Sequence, residues 1–357
     1  MKFLHIIMIS LLLAGCTPSV EEMTATATSG APTLTATHTP TPILTPSPAS
    51  TATSISSETP LPDGDPVLVG SGDIAHCSSD GDEATANLLD SIPGTVFTTG
   101  DNAYPDGTID QFMNCYEPTW GRHKARTYPS AGNHDYHTPD AAGYFDYFGS
   151  VAGEAGKGYY SYDLGTWHII VLNSNIPVEA GSPQEQWLRT DLATHQATCT
   201  LAYWHFPRFS SGTVHGSSPG MQPLWQALYD FGADVVLAGH EHNYERFALQ
   251  DPQGLADPAR GIREFVIGSG GRSHYSFGPP IANSEVRNDD TYGVLKLTLH
   301  STSYSWEFIP EAGQTFTDAG NAPCVALNET TPTATTAASS KTSLLNTILM
   351  GQEKQVL

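Results

Sequence analysis

Positive charge is what this chain lacks most: 15 Lys and Arg stand against 37 Asp and Glu in 357 residues, a formal net charge of −22. So acidic a balance argues against a nucleic-acid partner and against affinity for anionic membrane surfaces, both of which need basic patches. It also sets a condition, that an anionic substrate requires a local source of positive field. Uninterrupted apolar runs are short, and none approaches the ~20 residues that cross a bilayer. Cysteine is sparse: of five residues none forms a C-x-x-C pair, which argues against a structural zinc site.

What is present divides the chain. Met1–Cys16 (MKFLHIIMISLLLAGC) is one lysine, an apolar run from Phe3 to Leu13, and small residues before a cysteine. The run reads as the h-region of an export signal. Its end resembles the bacterial lipobox, which implies cleavage before Cys16, acylation of that cysteine, and anchoring to the membrane outside the cytoplasm. Residues 17–65 are dominated by Thr, Pro, Ser and Ala (for example TPTPILTPSPAS) and contain almost no aromatics. Such a stretch cannot repay its chain entropy by burial and reads as an extended linker. Residues 327–357 open with a similar tract (ETTPTATTAASS) and form a low-complexity tail. Between them, residues 66–326 suffice for one large α/β domain or two small ones. Cys77, Cys115, Cys199 and Cys324 permit three disulfide pairings in an exported chain. Cys77–Cys115 with Cys199–Cys324 is the expected one.

The central region alternates strand-like apolar runs with helical patterns. The runs are Val67–Val69, Thr95–Thr98, Trp167–Leu172, Thr200–Trp204, Asp234–Leu237, Arg263–Ile267, Gly293–Leu299 and Tyr304–Phe308. Ser182-Pro183-Gln184-Glu185 predicts a helix start with an N-cap serine, a proline at the first helical position and a capping-box glutamate. Trp187, Leu188, Asp191 and Leu192 follow at helical spacing. Ser218-Pro219 predicts another start, with Met221, Leu224, Trp225 and Leu228 on the buried face. The alternation predicts a layered α/β fold. From Phe265 onwards no helix intervenes, and the pattern reads as an antiparallel meander.

Four of these segments, with a fifth run Tyr128–Ala131, end alike: Gly72-Asp73, Gly100-Asp101, Gly132-Asn133-His134, Trp204-His205 and Gly239-His240-Glu241-His242. Ligands of open α/β sheets gather at the carboxyl ends of strands, so the five tips can converge. With Tyr104 they offer Asp73, Asp101, Asn133, His205, His240 and His242, a hard-oxygen and imidazole set suited to iron, zinc or manganese. Seven donors exceed one coordination shell. A carboxylate with two oxygens can bridge two ions about 3.5–4 Å apart, the spacing of two-metal phosphoryl chemistry. Two cations would also supply the missing positive field.

The order GD…GDxxY…GNHD…H…GHxH resembles the signature of the calcineurin-like metallophosphoesterases, and the tyrosine is similar to that of the purple acid phosphatases within them. The likeness extends through His205-Phe206-Pro207-Arg208-Phe209-Ser210-Ser211-Gly212 and Asn243-Tyr244-Glu245-Arg246. Many members carry Asp-x-His in the first motif, where this chain has Asp73-Ile74-Ala75. Tyr104 then takes the vacant coordination position, with His76 as the competing candidate. The resemblance implies an α-β-β-α sandwich with a dinuclear site at the strand C-terminal ends. One ion would be held by Asp73, Asp101, Tyr104 and His242, the other by Asp101, Asn133, His205 and His240. It implies Fe3+ with a divalent partner (Fe2+, Zn2+ or Mn2+), phosphate-ester substrates, and a metal-activated hydroxide in place of a serine or cysteine nucleophile. The leading expectation is a phosphomonoesterase; a phosphodiesterase or nucleotide hydrolase would use the same site, and a non-catalytic metal-containing surface-binding protein is the reading from another class. His134 is placed to protonate the leaving group. His215 resembles a further histidine of plant members, or is a solvated loop residue. Arg208 reads equally as a phosphate contact or a structural pair, and Tyr136–Phe148 as a substrate wall or an inward-packing helix.

Overall fold

A computed structural model describes residues 64–325, all of them within one compact unit. The leader with Cys16, nearly all of the linker and the tail lie outside the described residues. The strands are β1 (Val67–Ser71), β2 (Thr95–Thr99), β3 (Thr127–Ser130), β4 (Tyr160–Leu164), β5 (Trp167–Val171), β6 (Cys199–Tyr203), β7 (Val235–Ala238), β8 (Tyr244–Phe247), β9 (Arg263–Ile267), β10 (Ser284–Asn288), β11 (Gly293–Leu299), β12 (Ser303–Pro310) and β13 (Ala319–Pro323). One sheet has the order β13-β12-β11-β1-β2-β3, the other β10-β8-β9-β7-β6-β5-β4. Within the first, β1, β2 and β3 run parallel; within the second, β5, β6, β7 and β9 do.

Side-chain alternation sets the layers. On β1 and β2, Leu68 and Phe97 point to the space between the sheets while Val69 and Val96 point outward; on β6 and β7, Leu201, Tyr203, Val235 and Leu237 point inward and Ala202 and Val236 outward. This period of two gives each sheet a second apolar face that helices must cover. Helices α1 (Gly81–Ser91), the short turn α2 (Ile109–Gln111) and α3 (Ala142–Phe148) lie on the first, with Ala86, Leu89, Tyr144 and Phe148 in its outer core. Helices α4 (Pro183–Thr194) and α5 (Gln222–Asp230) lie on the second through Leu188, Leu192, Leu224, Trp225 and Leu228. The result is the α-β-β-α sandwich. Truncating a fully buried anchor such as Trp225 would cost about 3–5 kcal/mol.

Local expectations hold with three exceptions, one being that Ser218 makes no cap and Pro219–Met221 is a 3-10 turn ahead of α5, which starts at Gln222. Ser182 caps α4 by accepting the Glu185 N–H at 3.2 Å. The Glu185 carboxylate does not close the capping box; it accepts from Gly181 N–H at 3.0 Å, because Ser182 N–H is already bonded to Glu179 O. The meander is confined to β11, β12 and β13. β9 leaves it and pairs parallel to β7, since β8 intervenes in the chain and pairs antiparallel to β9, doing the work of a crossover helix. Both expected disulfides form, Cys77–Cys115 and Cys199–Cys324.

Candidate metal centre

The parallel strands of both sheets present their carboxyl ends on one side, and there the five tips meet. Tyr104 Oη lies 2.9 Å from Asp73 Oδ1, 2.8 Å from Asp101 Oδ2 and 3.1 Å from His242 Nε2. On the other side, His205 Nε2 lies 3.0 Å from Asn133 Oδ1, 3.1 Å from His240 Nδ1 and 3.4 Å from Asp101 Oδ2. Asp101 thus stands between two donor groups. It faces both with the single oxygen Oδ2, because Oδ1 accepts the His134 backbone N–H at 2.7 Å.

The glycine before four of the five tips has a steric cause. A Cβ at Gly132 would overlap the Asp101 carboxylate, and one at Gly100 would sit 2.7 Å from His205 Nδ1. Asp73, Asp101 and His240 themselves adopt left-handed backbone, with φ of 59°, 52° and 71°. Non-glycine residues rarely do so, and such strain collects at functional sites.

The electrostatics show what the donors need. Burial, with the charges of Asp101 and Asp73, holds the Tyr104 phenol well above its ordinary value. Burial works to lower His205, but the Asp101 charge and hydrogen bond outweigh it and push it up to about 9. Burial works to raise Asp101, but His205 and His134 outweigh it and hold that carboxyl below its ordinary range. Burial and the neighbouring His205 bring His240 down to about 2. His205 thus lies where two buried carboxylates favour positive charge. Two carboxylates, a phenol, an amide oxygen and three imidazoles fit a pair of hard or borderline metal ions, and Asp101, His205 and His240 alone bring their donor atoms within 4.8 Å of one another.

Neighbouring groups orient the donors. His205 Nδ1 donates to Thr99 O at 2.8 Å, and His242 Nδ1 bonds Ser273 Oγ at 2.7 Å, turning each Nε2 inward. Tyr275 stacks on His242 with centroids 3.8 Å apart. The Arg272 guanidinium lies 5.2 Å over the Tyr104 ring. Below, the Asp135 carboxylate accepts from Gly132 N–H and Asn102 Nδ2 at 2.8 and 2.9 Å; burial and the Asp101 charge raise it to about 7. Arg272, Ser273 and Tyr275 escape the sequence reading because they follow β9, which was placed in the meander. The signal was Gly268-Ser269-Gly270-Gly271 directly after a strand.

Other expected residues are placed as follows. His134 is half-buried with Nδ1 2.6 Å from Pro105 O and Nε2 3.9 Å from Asp101 Oδ2. His215 is exposed, yet stacks on His240 at 3.8 Å. His76 turns to the surface and bonds Ser78, leaving the position beside Asp73 to Tyr104. Arg208 donates to Pro252 O at 3.1 Å and packs over Phe209, a structural arrangement. Tyr144, Phe145, Tyr147 and Phe148 pack inward on α3.

A four-layer sandwich with this donor set at its strand ends is the architecture of a metallophosphoesterase. Residues 62–244 match the profile of the Calcineurin-like phosphoesterase family, and the chain belongs to that family. Among curated relatives it is similar to Purple acid phosphatase 15 of Arabidopsis thaliana, at 27% identity over 241 residues, 57% of this chain and 44% of that one. To Purple acid phosphatase 23 of the same plant it is 30% identical over 185 residues, 46% and 40% of the two chains. The chain thus spans under half the length of these relatives. In fold it is similar to a purple acid phosphatase from yellow lupin (Lupinus luteus) seeds, with a TM-score of 0.61 and 19% identity over 72% of this chain and 53% of that one.

Proposed function

We propose that this chain hydrolyses phosphate monoesters, in the manner of an acid phosphatase, at a centre that takes two metal ions. The position of Asp101 Oδ2 carries the reading, shared between Tyr104 Oη at 2.8 Å and His205 Nε2 at 3.4 Å. Asp73, Asp101, Tyr104 and His242 would hold one ion; Asp101, Asn133, His205 and His240 would hold the other. The phenol favours Fe3+ in the first place, and Fe2+, Zn2+ or Mn2+ suits the second. When bound, such a pair neutralises phosphoryl charge and lowers the pKa of water.

The chain's own residues do the rest. His134 donates Nδ1–H to Pro105 O, which leaves Nε2 turned toward the centre. In its doubly protonated form the Nε2–H is the proton for the departing alkoxide. His215, with its backbone N–H on the Glu241 carboxylate at 2.6 Å, lines the rim beside His240 and contacts the ester. Arg272 adds a cation at the mouth of a strongly acidic protein.

The test is turnover of an aryl phosphate against its bis-aryl diester, with chelator treatment and metal restoration. Monoester preference and reversible loss of activity are expected; faster diester turnover, or activity indifferent to chelation, overturns the reading. The leader ending in Cys16 and the two disulfides support export and a lipid anchor, since disulfides persist in oxidising compartments. Labelling with a tagged fatty acid that persists in Cys16→Ser would refute the anchor.

A further inference from the structure

Another cluster of metal-capable side chains lies at the opposite end of the second sheet. His168 is the second residue of β5, Asp191 sits in the last turn of α4 and His195 directly follows that helix. The donor atoms of the three all fall within 4.8 Å of one another. Because β5 and β6 run parallel and His205 follows the end of β6, the cluster is separated from Asp101 by a strand length, on the order of 15 Å.

We propose that His168 Nε2, the Asp191 carboxylate and His195 Nδ1 bind one divalent transition-metal ion of the zinc class, clipping β5 to the end of α4. Asp191 Oδ2 lies 2.8 Å from His168 Nε2, and its Oδ1 lies 3.1 Å from His195 Nδ1. Nitrogen and oxygen ligands about 2.0–2.1 Å from a tetrahedral ion stand about 3.3 Å apart, so each of these two pairs needs to open by only a few tenths of an ångström.

An independent observation is the group behind His168. Its Nδ1 bonds the Asp163 carboxylate at 2.9 Å, the carboxylate–histidine arrangement that fixes Nε2 as the ligating nitrogen. Ser161 Oγ donates to Asp191 Oδ1 at 3.0 Å and steadies that carboxylate. A cleft of about 190 Å³ lined by Asp163, Thr166, His195 and Gln196 opens beside the cluster, giving an ion an entry path and a water for the fourth position.

An ion pair accounts for a buried His168 between Asp163 and Asp191. The second imidazole lies nearly parallel to the first (11°, 4.9 Å) and faces the other oxygen of the Asp191 carboxylate at 3.1 Å, with its Nδ1 also 3.1 Å from the Asp191 backbone O. A bound ion would take a neutral nitrogen from each ring, and any proton it displaces passes to solvent.

The experiment is a Zn2+ titration of the full chain after dialysis, wild type against His195→Ala, with melting temperature followed in parallel. Wild type is expected to take one equivalent more per chain than the variant and to gain thermal stability at Zn2+ concentrations that leave the variant unmoved. Aryl phosphate turnover should be the same in both, since His195 lies outside the catalytic machinery. Equal zinc stoichiometry in wild type, His195→Ala and the isosteric Asp191→Asn overturns the proposal and leaves an ion pair only. If His195→Ala does not fold, His195→Gln replaces it under the same criteria.

Discussion

Replacing Tyr104 by phenylalanine tests the centre with the least disturbance of packing. The ring is 2% exposed and is packed by His134 and His242 at centroid distances of 4.4 and 5.9 Å, contacts that phenylalanine retains. Only the oxygen is lost, and with it the contacts to Asp73, Asp101 and His242. In the ion-free protein that oxygen donates to a carboxylate, a hydrogen bond of the charged kind contributing about 1.5–3 kcal/mol. For a domain of this size the loss converts to a fall in Tm of roughly 3–12 °C. In the loaded protein a donor disappears from one ion, while loss of an outer-shell partner alone costs ~10–100-fold in affinity. Tyr104→Phe should therefore lose at least that much affinity for one ion and keep the other. Iron-loaded wild type should absorb visible light by tyrosinate-to-ferric charge transfer, and the variant should be bleached. Metal content, the visible spectrum and Tm read the three effects separately. A variant with full iron occupancy and undiminished colour would refute the placement of Tyr104 as a donor.

Three further outcomes are expected. Arg272→Ala should raise KM for an aryl phosphate several-fold while metal content stays unchanged; loss of metal instead would make the guanidinium a structural support of Tyr104. Asp82, 3% exposed on α1 with Oδ1 unpartnered, is raised by burial to about 6. An acid whose folded pKa lies above its unfolded value of 3.8 loses stability as pH rises from about 4 to about 6, by roughly 3 kcal/mol for a shift of this size. Asp82→Asn should flatten that slope and melt higher than wild type at pH 7.5, and unchanged pH dependence of Tm would contradict the assignment. Cys199→Ser with Cys324→Ser removes a link across 125 residues and should cost about 2–5 kcal/mol in denaturant unfolding; an unchanged midpoint would show that this crosslink contributes nothing to stability.

The centre was legible because two signals coincide in one chain. A short apolar run marks β1, β2, β6 and β7, and a small residue followed by a candidate metal donor marks the end of all but β6. Gly132 shows the physical origin of the second signal: the Asp101 carboxylate occupies the space of its Cβ, so the motif records close approach between two tips. What stayed hidden lacks such a local mark. Ala319–Pro323 (AGNAP) has no strand composition and becomes β13 only by pairing its backbone with β12 at the sheet edge. β9 is assigned to its sheet by pairing with β7, 25 residues or more away in the chain, and Arg272, Ser273 and Tyr275 reach the centre through that placement. His168, Asp191 and His195 come together through the packing of α4 on β5, a tertiary contact without a spacing rule.

The same geometry explains why the donors lie on so large a frame. Asp73, Asp101 and His240 each hold left-handed backbone, at about 1–3 kcal/mol apiece. Two carboxylates and the imidazole of His240, brought low by burial and by His205, share one buried space. Together these costs rival the ~5–15 kcal/mol net stability of an ordinary domain. Contacts at the tips, such as His205 with Asp101 and the His240 N–H on Asp73, offset part of them. The rest comes from the rows between and outside the sheets, where Phe97, Trp167, Tyr203, Trp204, Trp225 and Phe265 are fully buried, each contributing several kcal/mol that truncation would remove. The strain is therefore sustained from a distance, and a cavity opened at Trp225 should weaken metal retention at Asp101 without touching any donor.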